Sequence, residues 1–181
     1  MPSNEELIGP FPEGADPKEY DRLRRRVLWK MPTGLYLLGS RDGERRNLMA
    51  CNLLTQVSTD PKLIGIAVEK EAFTLELIVA GRCFALALLA REDRALVRKF
   101  AKPAEHDAIA HTLEGVAYLD AKTTGAPIPA VALAYLDCTL ERVVAFGSHC
   151  FVVGEVVDAG FLGDEDQEVL RMEDTRMSYG G

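Results

Sequence analysis

Apolar and polar positions alternate with a period of two along much of this chain, and a helical period interrupts the alternation in only a few places. Leu35-Tyr36-Leu37-Leu38 runs into Arg41-Asp42-Gly43-Glu44. An Asp-Gly pair between extended segments predicts a hairpin whose second strand returns toward a small-residue polar loop at Asn47 to Asn52. Further strands are predicted at Leu53 to Ser58, Leu63 to Val68, Cys83 to Leu89, Val131 to Leu136, Cys138 to Phe146 and Cys150 to Val157. Leu63 to Val68 is a nearly unbroken apolar run behind the breaker Asp60-Pro61, as expected of a strand buried on both faces. The segments flanking Gly147-Ser148 read as one long hairpin.

Three stretches carry the helical period instead. Asp16-Pro17 supplies an N-cap and a first helical position, and Tyr20, Leu23 and Val27 then recur at helical spacing through Lys30. Its run Arg24-Arg25-Arg26 reads as a solvated helix face. A second helix begins within Ala72-Phe73-Thr74-Leu75-Glu76-Leu77-Ile78, and a third covers Arg91 to Phe100, with Leu96 and Phe100 four apart and Pro103 beyond its end. Many strands on short turns with few helices predict a mainly β (α+β) fold, a closed antiparallel barrel. Residues 1–16, with Pro2, Pro10, Pro12, Gly9 and Gly14, read as an extended arm, so the chain divides into an arm and helix over 1–30 and a single domain over 31–181. Glu105 to Pro129 lacks a clear period and reads as a substrate-side loop or a dimer-contact excursion. His106 and His111, inside it, receive no role.

Composition narrows the function classes. The 181 residues are 48% hydrophobic and 27% charged, ordinary values for one domain with a substantial core. No apolar segment approaches the roughly 20 residues of a membrane span, and Met1 to Glu6 has neither a basic region nor an apolar signal core, so the expected compartment is the cytoplasm. A net charge of −7 argues against nucleic acid or anionic membranes as partners, so any anionic ligand must be gripped locally. Cys51, Cys83, Cys138 and Cys150 form no C-x-x-C pair and no zinc-ligand spacing, so no metal is expected. Cys83, Cys138 and Cys150 read as small buried hydrophobes, and Cys51 as a packing residue beside a ligand rather than a reactive thiol.

One local grip is visible. Lys70 closes the Leu63 to Val68 strand, and the helix that follows presents free backbone N–H groups in its first turn beside the Lys70 ammonium and the Thr74 hydroxyl. Its position after the polar segment Asn47-Leu48-Met49-Ala50-Cys51-Asn52 suits a phosphorylated planar ligand. By contrast, G-x-S-x-G, H-E-x-x-H, a P-loop and G-x-G-x-x-G are all absent, so no protein nucleophile and no Rossmann nicotinamide site is expected.

From about Met31 onward these residues resemble the flavin reductase-like FMN-binding split-barrel family. The resemblance rests on Q-V-S-x-D-P-K-L, E-K-E-A-F-T, G-R-C-F-A-L and G-S-H-C-F-V-V-G-E-V-V, in that order. It implies a Greek-key split barrel and an oxidoreductase that passes hydride from NADH or NADPH to FMN, with FAD the less favoured flavin because one phosphate site is visible. It further implies a shallow cleft at the interface of a homodimer and an acceptor such as free flavin or a partner monooxygenase. Carried over by position, Asn47, Met49, Ala50, Cys51 and Asn52 lie along the ribityl chain and ring, Gln56, Val57 and Ser58 continue that wall, and Lys70, Phe73 and Thr74 hold the phosphate. His149 stands where the family's G-D-H motif reads G-S-H here, so it is either a nicotinamide contact or a strand-start histidine satisfied by backbone. Arg176 and Tyr179 could cover the cleft. The competing readings are a non-enzymatic flavin-binding or electron-carrier protein of the same fold, supported by Ser148 in place of the acid, and a pyridoxamine-phosphate oxidase type of barrel, which lacks its cluster of basic residues here.

Overall fold

The computed structural model describes residues 9–175. Asp16 caps α1 (Pro17–Leu28), its carboxylate accepting from the Glu19 N–H at 2.9 Å and so satisfying one of the amides that a helix start leaves free. Asp21 pairs with Arg24 at 2.8 Å and Arg25 at 3.2 Å, which makes the arginine run a solvated face. No residue of α1 is buried, and Leu23 and Val27 are exposed.

From Tyr36 the chain is mainly strand. β1 (Tyr36–Asp42) and β2 (Arg45–Cys51) form the Asp-Gly hairpin, with Gly43 at φ +58°. β3 (Leu54–Thr59) and β4 (Lys62–Glu69) form a second hairpin, followed by α2 (Phe73–Gly81) and β5 (Cys83–Leu88). β6 (His106–Asp107), β7 (Thr112–Leu113), β8 (Val116–Asp120) and β9 (Pro127–Pro129) build a small antiparallel sheet. β10 (Ala134–Phe146) and β11 (His149–Phe161) close the chain's strands as a long hairpin.

The large sheet is antiparallel, in the order β2-β1-β5-β10-β11-β4-β3. Its two edge strands, β2 and β3, are joined by Asn52 and Leu53 alone. Strands sit about 4.8 Å apart, so the edges of a flat seven-stranded sheet would be about 29 Å apart. Three Cα steps from Cys51 to Leu54 reach at most about 11 Å. The sheet must therefore curl until its edges meet without pairing, which makes it a split barrel. Because β1 neighbours β5 and β4 neighbours β11, the order is not a simple meander.

The curl separates two cores, and period-two alternation distributes each strand between them. Leu35 and Leu37 join Leu48, Val97, Phe100, Leu113 and Ile128 on one side. Leu38 joins Ile66, Phe84, Val152 and, from α2, Leu75 and Ile78 on the other.

Four expectations need correction. Asn47 to Cys51 is strand, not loop, because every residue of β2 pairs with β1, ending at Tyr36↔Cys51. Arg91 to Phe100 is two short 3-10 turns, Arg91–Asp93 and Leu96–Phe100, the Asp93 N–H bonding the Ala90 carbonyl three residues back at 3.0 Å while the Arg91 N–H is held by the Glu168 carbonyl at 2.8 Å. The two strands predicted at Val131 to Leu136 and Cys138 to Phe146 are one strand, its register shifting at Asp137/Cys138 as at a bulge. Glu105 to Pro129 is not a loop but mostly the small sheet, whose β9 packs against β1 at Gly39.

A β-carbon on Gly39 would overlap the Pro127 backbone carbonyl, whereas one on Gly43 would meet nothing within 4 Å. Gly39→Ala is expected to lower unfolding stability by about 1–3 kcal/mol through overpacking. Gly43→Ala costs only the strain of a positive φ, about 1 kcal/mol. Urea denaturation of the two variants checks the order; a larger loss at Gly43 would remove the close approach from the account.

Candidate functional site

Alternation along β2 sorts the predicted ligand wall into two faces. Met49 and Cys51 pack into the core cluster that also receives Tyr36, Leu54 and Ala72, while Ala50 packs on the opposite cluster with Leu48. Asn52 ends the wall at 8% exposure, its amide only 3.5 Å from the Thr33 hydroxyl and so weakly held. β3 is an edge strand with Thr55, Gln56 and Val57 exposed and Ser58 half-buried. The ladder slips between Gln56 and Ser58, leaving Val57 as the extra residue of a bulge, with its side chain beside Gly65. Gln56 Nε2 donates to the Ser58 carbonyl at 3.0 Å.

The anion end is assembled by β4, α2 and the β10–β11 turn. Lys70 follows β4 and donates its backbone N–H to the Ser148 carbonyl at 3.1 Å, which pins the Gly147-Ser148 turn beside it. Its ammonium is exposed and makes no ion pair or hydrogen bond among the described residues. α2 begins at Phe73 with Ala72 as N-cap and no side-chain cap; the Leu75 N–H bonds the Ala72 carbonyl at 2.9 Å, which leaves the Phe73 and Thr74 amides as the anion donors of the first turn. His149 pairs with Glu69 across the β11–β4 ladder, and its Nδ1 lies 2.8 Å from the Ser148 hydroxyl. The turn therefore brings His149 to the same end as Lys70.

Asn47 and Thr74 are drawn together, but inward. They are 2% and 1% exposed. Asn47 Nδ2 donates to Thr74 Oγ1 at 2.8 Å, and Asn47 Oδ1 accepts from the Ala104 N–H at 2.8 Å. Both side chains are thus buried and joined to each other rather than exposed, with the Thr74 hydroxyl accepting from Asn47 and keeping its own O–H as a donor. Arg176 and Tyr179 lie outside the described residues.

Sequence reasoning passed over Arg45. It sits two residues before Asn47 on the same face of β2, with its guanidinium 6.0 Å from the Phe73 ring centroid and 2.6 Å from both Asp42 and Glu76. The period-two relation to Asn47 was the available signal, but only the packing of α2 on β2 shows what it meets. Two open grooves, of about 280 and 480 Å³, lie elsewhere, beside Arg91 and Gln167 and beside Leu96 and Val131. Neither groove is lined by the candidate residues. No cluster of His, Cys, Asp and Glu able to hold a metal occurs among the described residues.

The chain matches the family described as "Flavin reductase like domain" over residues 28–180. It is 32% identical over 153 residues to an "NADH-dependent FAD reductase" of Streptomyces globisporus, covering 84% of this chain and 82% of that protein. Among solved structures, the Streptomyces globisporus C-1027 NADH:FAD oxidoreductase SgcE6 superposes with a TM-score of 0.74 at 30% identity, covering 90% of this chain and 93% of that one. BorF, the flavin reductase component of a bacterial two-component tryptophan halogenase, superposes with a TM-score of 0.72 at 25% identity, covering 83% and 91%.

Burial pushes the thiol of Cys51 up to about 12, and burial with the nearby Asp137 charge pushes Cys138 up to about 12. Tyr36 is raised as well, by burial and then by Cys51. Cys51 is therefore a protonated packing group, not a nucleophile. The folded state holds these protons more tightly than the unfolded chain, so their contribution is fully present below the ordinary thiol value of 9.0 and is lost as pH rises toward about 12. The urea midpoint is expected to fall between about pH 8 and about pH 10.5, and to fall less in Cys138→Ala. An identical alkaline loss in that variant would show that the buried thiol is not a source of it.

Proposed function

This chain belongs to the flavin reductase-like domain family, and we propose that it is an oxidoreductase in which NADH or NADPH reduces a flavin held beside Lys70 and the start of α2. The observation that carries this reading is an exposed Lys70, its ammonium without an ion pair or hydrogen bond among the described residues, just ahead of the uncapped start of α2, whose N-cap Ala72 packs in the same cluster as Met49 and Cys51 at the end of β2. A single-anion grip of this kind fits a flavin phosphate, where charge-assisted bonds hold more firmly than neutral ones. Flavin, when bound, supplies the hydride chemistry itself.

The chain's own residues then bind and orient. The Lys70 ammonium and the backbone N–H groups of Phe73 and Thr74 take the phosphate. Met49, Ala50, Cys51 and Asn52 form the wall along the ribityl chain and ring, small side chains allowing close backbone approach and the Asn52 amide facing the flavin's polar edge. Gln56, Val57 and Ser58 extend that wall along the open edge of β3. His149, whose Nδ1 is engaged by Ser148, keeps Nε2 for a nicotinamide contact. FMN suits the single-anion grip, and FAD, the flavin in the name of the Streptomyces globisporus relative, is the ligand it competes with.

A homodimer completes the reading. Beyond Thr139 β10 pairs only with β11 among the described residues, leaving an unpaired edge with Val143, Val144 and Phe146 exposed. An apolar strand edge of this kind favours coverage by a second copy. The proposed acceptor is free flavin or a separate flavin-using oxygenase, in keeping with the role in BorF's description. Among the described residues no helix is long and apolar enough to cross a membrane.

Mixing the purified protein with FMN or FAD and NADH or NADPH, and following absorbance of the reduced nicotinamide, tests the activity. Oxidation above the protein-free rate is expected, and its absence with every combination would favour a flavin carrier instead. Lys70→Ala is expected to weaken FMN binding by about 1.5–3 kcal/mol, the usual range for a bond to a charged group, with riboflavin binding unchanged. Equal losses for FMN and riboflavin would move Lys70 away from the phosphate.

A further inference from the structure

Asn47 is among the few fully buried polar side chains of the molecule, and both ends of its amide are engaged. The Ala104 backbone N–H can only donate, so the atom 2.8 Å from it must be Oδ1. The opposite end is then Nδ2, which donates to Thr74 Oγ1 at 2.8 Å. No flipped amide satisfies both neighbours so well, because it would set one N–H against another. One side chain thus ties together β2, the second residue of α2 and the stretch that follows the Leu96–Phe100 turn.

Resting on the flavin reading above, we propose that Asn47 is a positioning residue: it holds the phosphate-binding first turn of α2 in register with the β2 wall without touching the ligand. The first turn lacks a side-chain cap of its own. The Asn47–Thr74 bond is the one buried side-chain hydrogen bond between α2 and the large sheet among the described residues. The Arg45–Glu76 ion pair also joins β2 to that turn, but it is exposed, and exposed pairs hold little. The α2 amides serve a phosphate only at hydrogen-bond distance and alignment, so a small displacement of the turn weakens FMN while leaving contacts to the ring system in place. This also accounts for a polar side chain at 47: it serves the Ala104 N–H and the Thr74 hydroxyl at once, which an aliphatic side chain cannot.

The test is titration of FMN and riboflavin into the unmodified protein, Asn47→Leu, Thr74→Val, Thr74→Ser and the double variant Asn47→Leu/Thr74→Val. The ratio of the two affinities isolates the phosphate. Asn47→Leu keeps the approximate volume and removes the bond to Thr74, whereas an aspartate would accept from the Thr74 O–H and restore it; Thr74→Val keeps the shape and removes the hydroxyl. Each is expected to cut the FMN-over-riboflavin preference by about tenfold, with Thr74→Ser within about twofold of the unmodified protein. The double variant is expected to be no worse than the poorer single one, since Asn47 acts through Thr74.

Lower thermal stability with an unchanged preference would make the bond merely structural and overturn the proposal. Additive losses in the double variant would mean that position 47 acts on the ligand directly, which also overturns it. Should Asn47→Leu not fold, the Thr74 pair decides: preference lost in Val and kept in Ser supports the proposal, and preference kept in both overturns it. An unmodified protein that binds FMN no better than riboflavin would instead overturn the phosphate site, and the proposal with it.

Discussion

The two-residue link between β2 and β3 is the constraint on which the rest of this molecule depends. Asn52 and Leu53 join strands that lie at opposite ends of a seven-stranded order, so the sheet has no flat solution. Curling it creates an inside that period-two side chains can fill, and this explains why neighbouring residues of β1 serve different cores. The same curl brings the end of β2 and the start of β3 together at the seam. The candidate flavin wall is therefore built where the barrel fails to close, at a place rich in backbone that the ladder does not fully use.

The buried polar groups hold this arrangement in register. Asp137 is fully buried, yet its carboxylate accepts from the Thr123 N–H at 3.0 Å, the Thr124 N–H at 3.1 Å and the Thr124 hydroxyl at 2.5 Å. Three donors compensate the loss of water around the charge, so a buried acid that could be taken for a catalytic group is a fastener for the turn before β9. Arg41 adds a bond to the Thr124 carbonyl at 2.9 Å and joins that turn to the β1–β2 hairpin. Asn47 does comparable work between β2, α2 and Ala104. Asn47 and Asp137, whose polarity suggests chemistry, are here consumed by architecture, whereas Lys70 stands exposed with no ion pair or hydrogen bond from its ammonium among the described residues.

Much of this was legible beforehand because it is local. The Asp-Gly hairpin, the α1 cap at Asp16, the strand before Lys70 and the helix after it each depend on residues within a few positions of one another. The errors arose where distant partners decided. Asn47 to Cys51 has the small and polar residues of a loop, but a full ladder with β1 makes it strand. Asn47 and Thr74, 27 residues apart, carry no sequence mark of their mutual hydrogen bond. Arg91 to Phe100 has a helical spacing, yet it forms two 3-10 turns beside a segment tied to its start by bonds from Arg91 to Glu168 and from Leu170 to Leu89.

By itself, then, the sequence determined the mainly β character, the hairpins, the placing of Lys70 just ahead of α2 and, through motifs in a fixed order, the family. These follow from short-range sterics, alternation and turn chemistry, which need no knowledge of the rest of the chain. Tertiary structure alone decided which of the polar candidates are exposed, that the Gly147-Ser148 turn lies against Lys70, and that Asn47 is a buried tie between β2, α2 and Ala104. Those outcomes depend on which strands become neighbours when the sheet curls, and hydrogen bonds between residues far apart in the chain are settled only then.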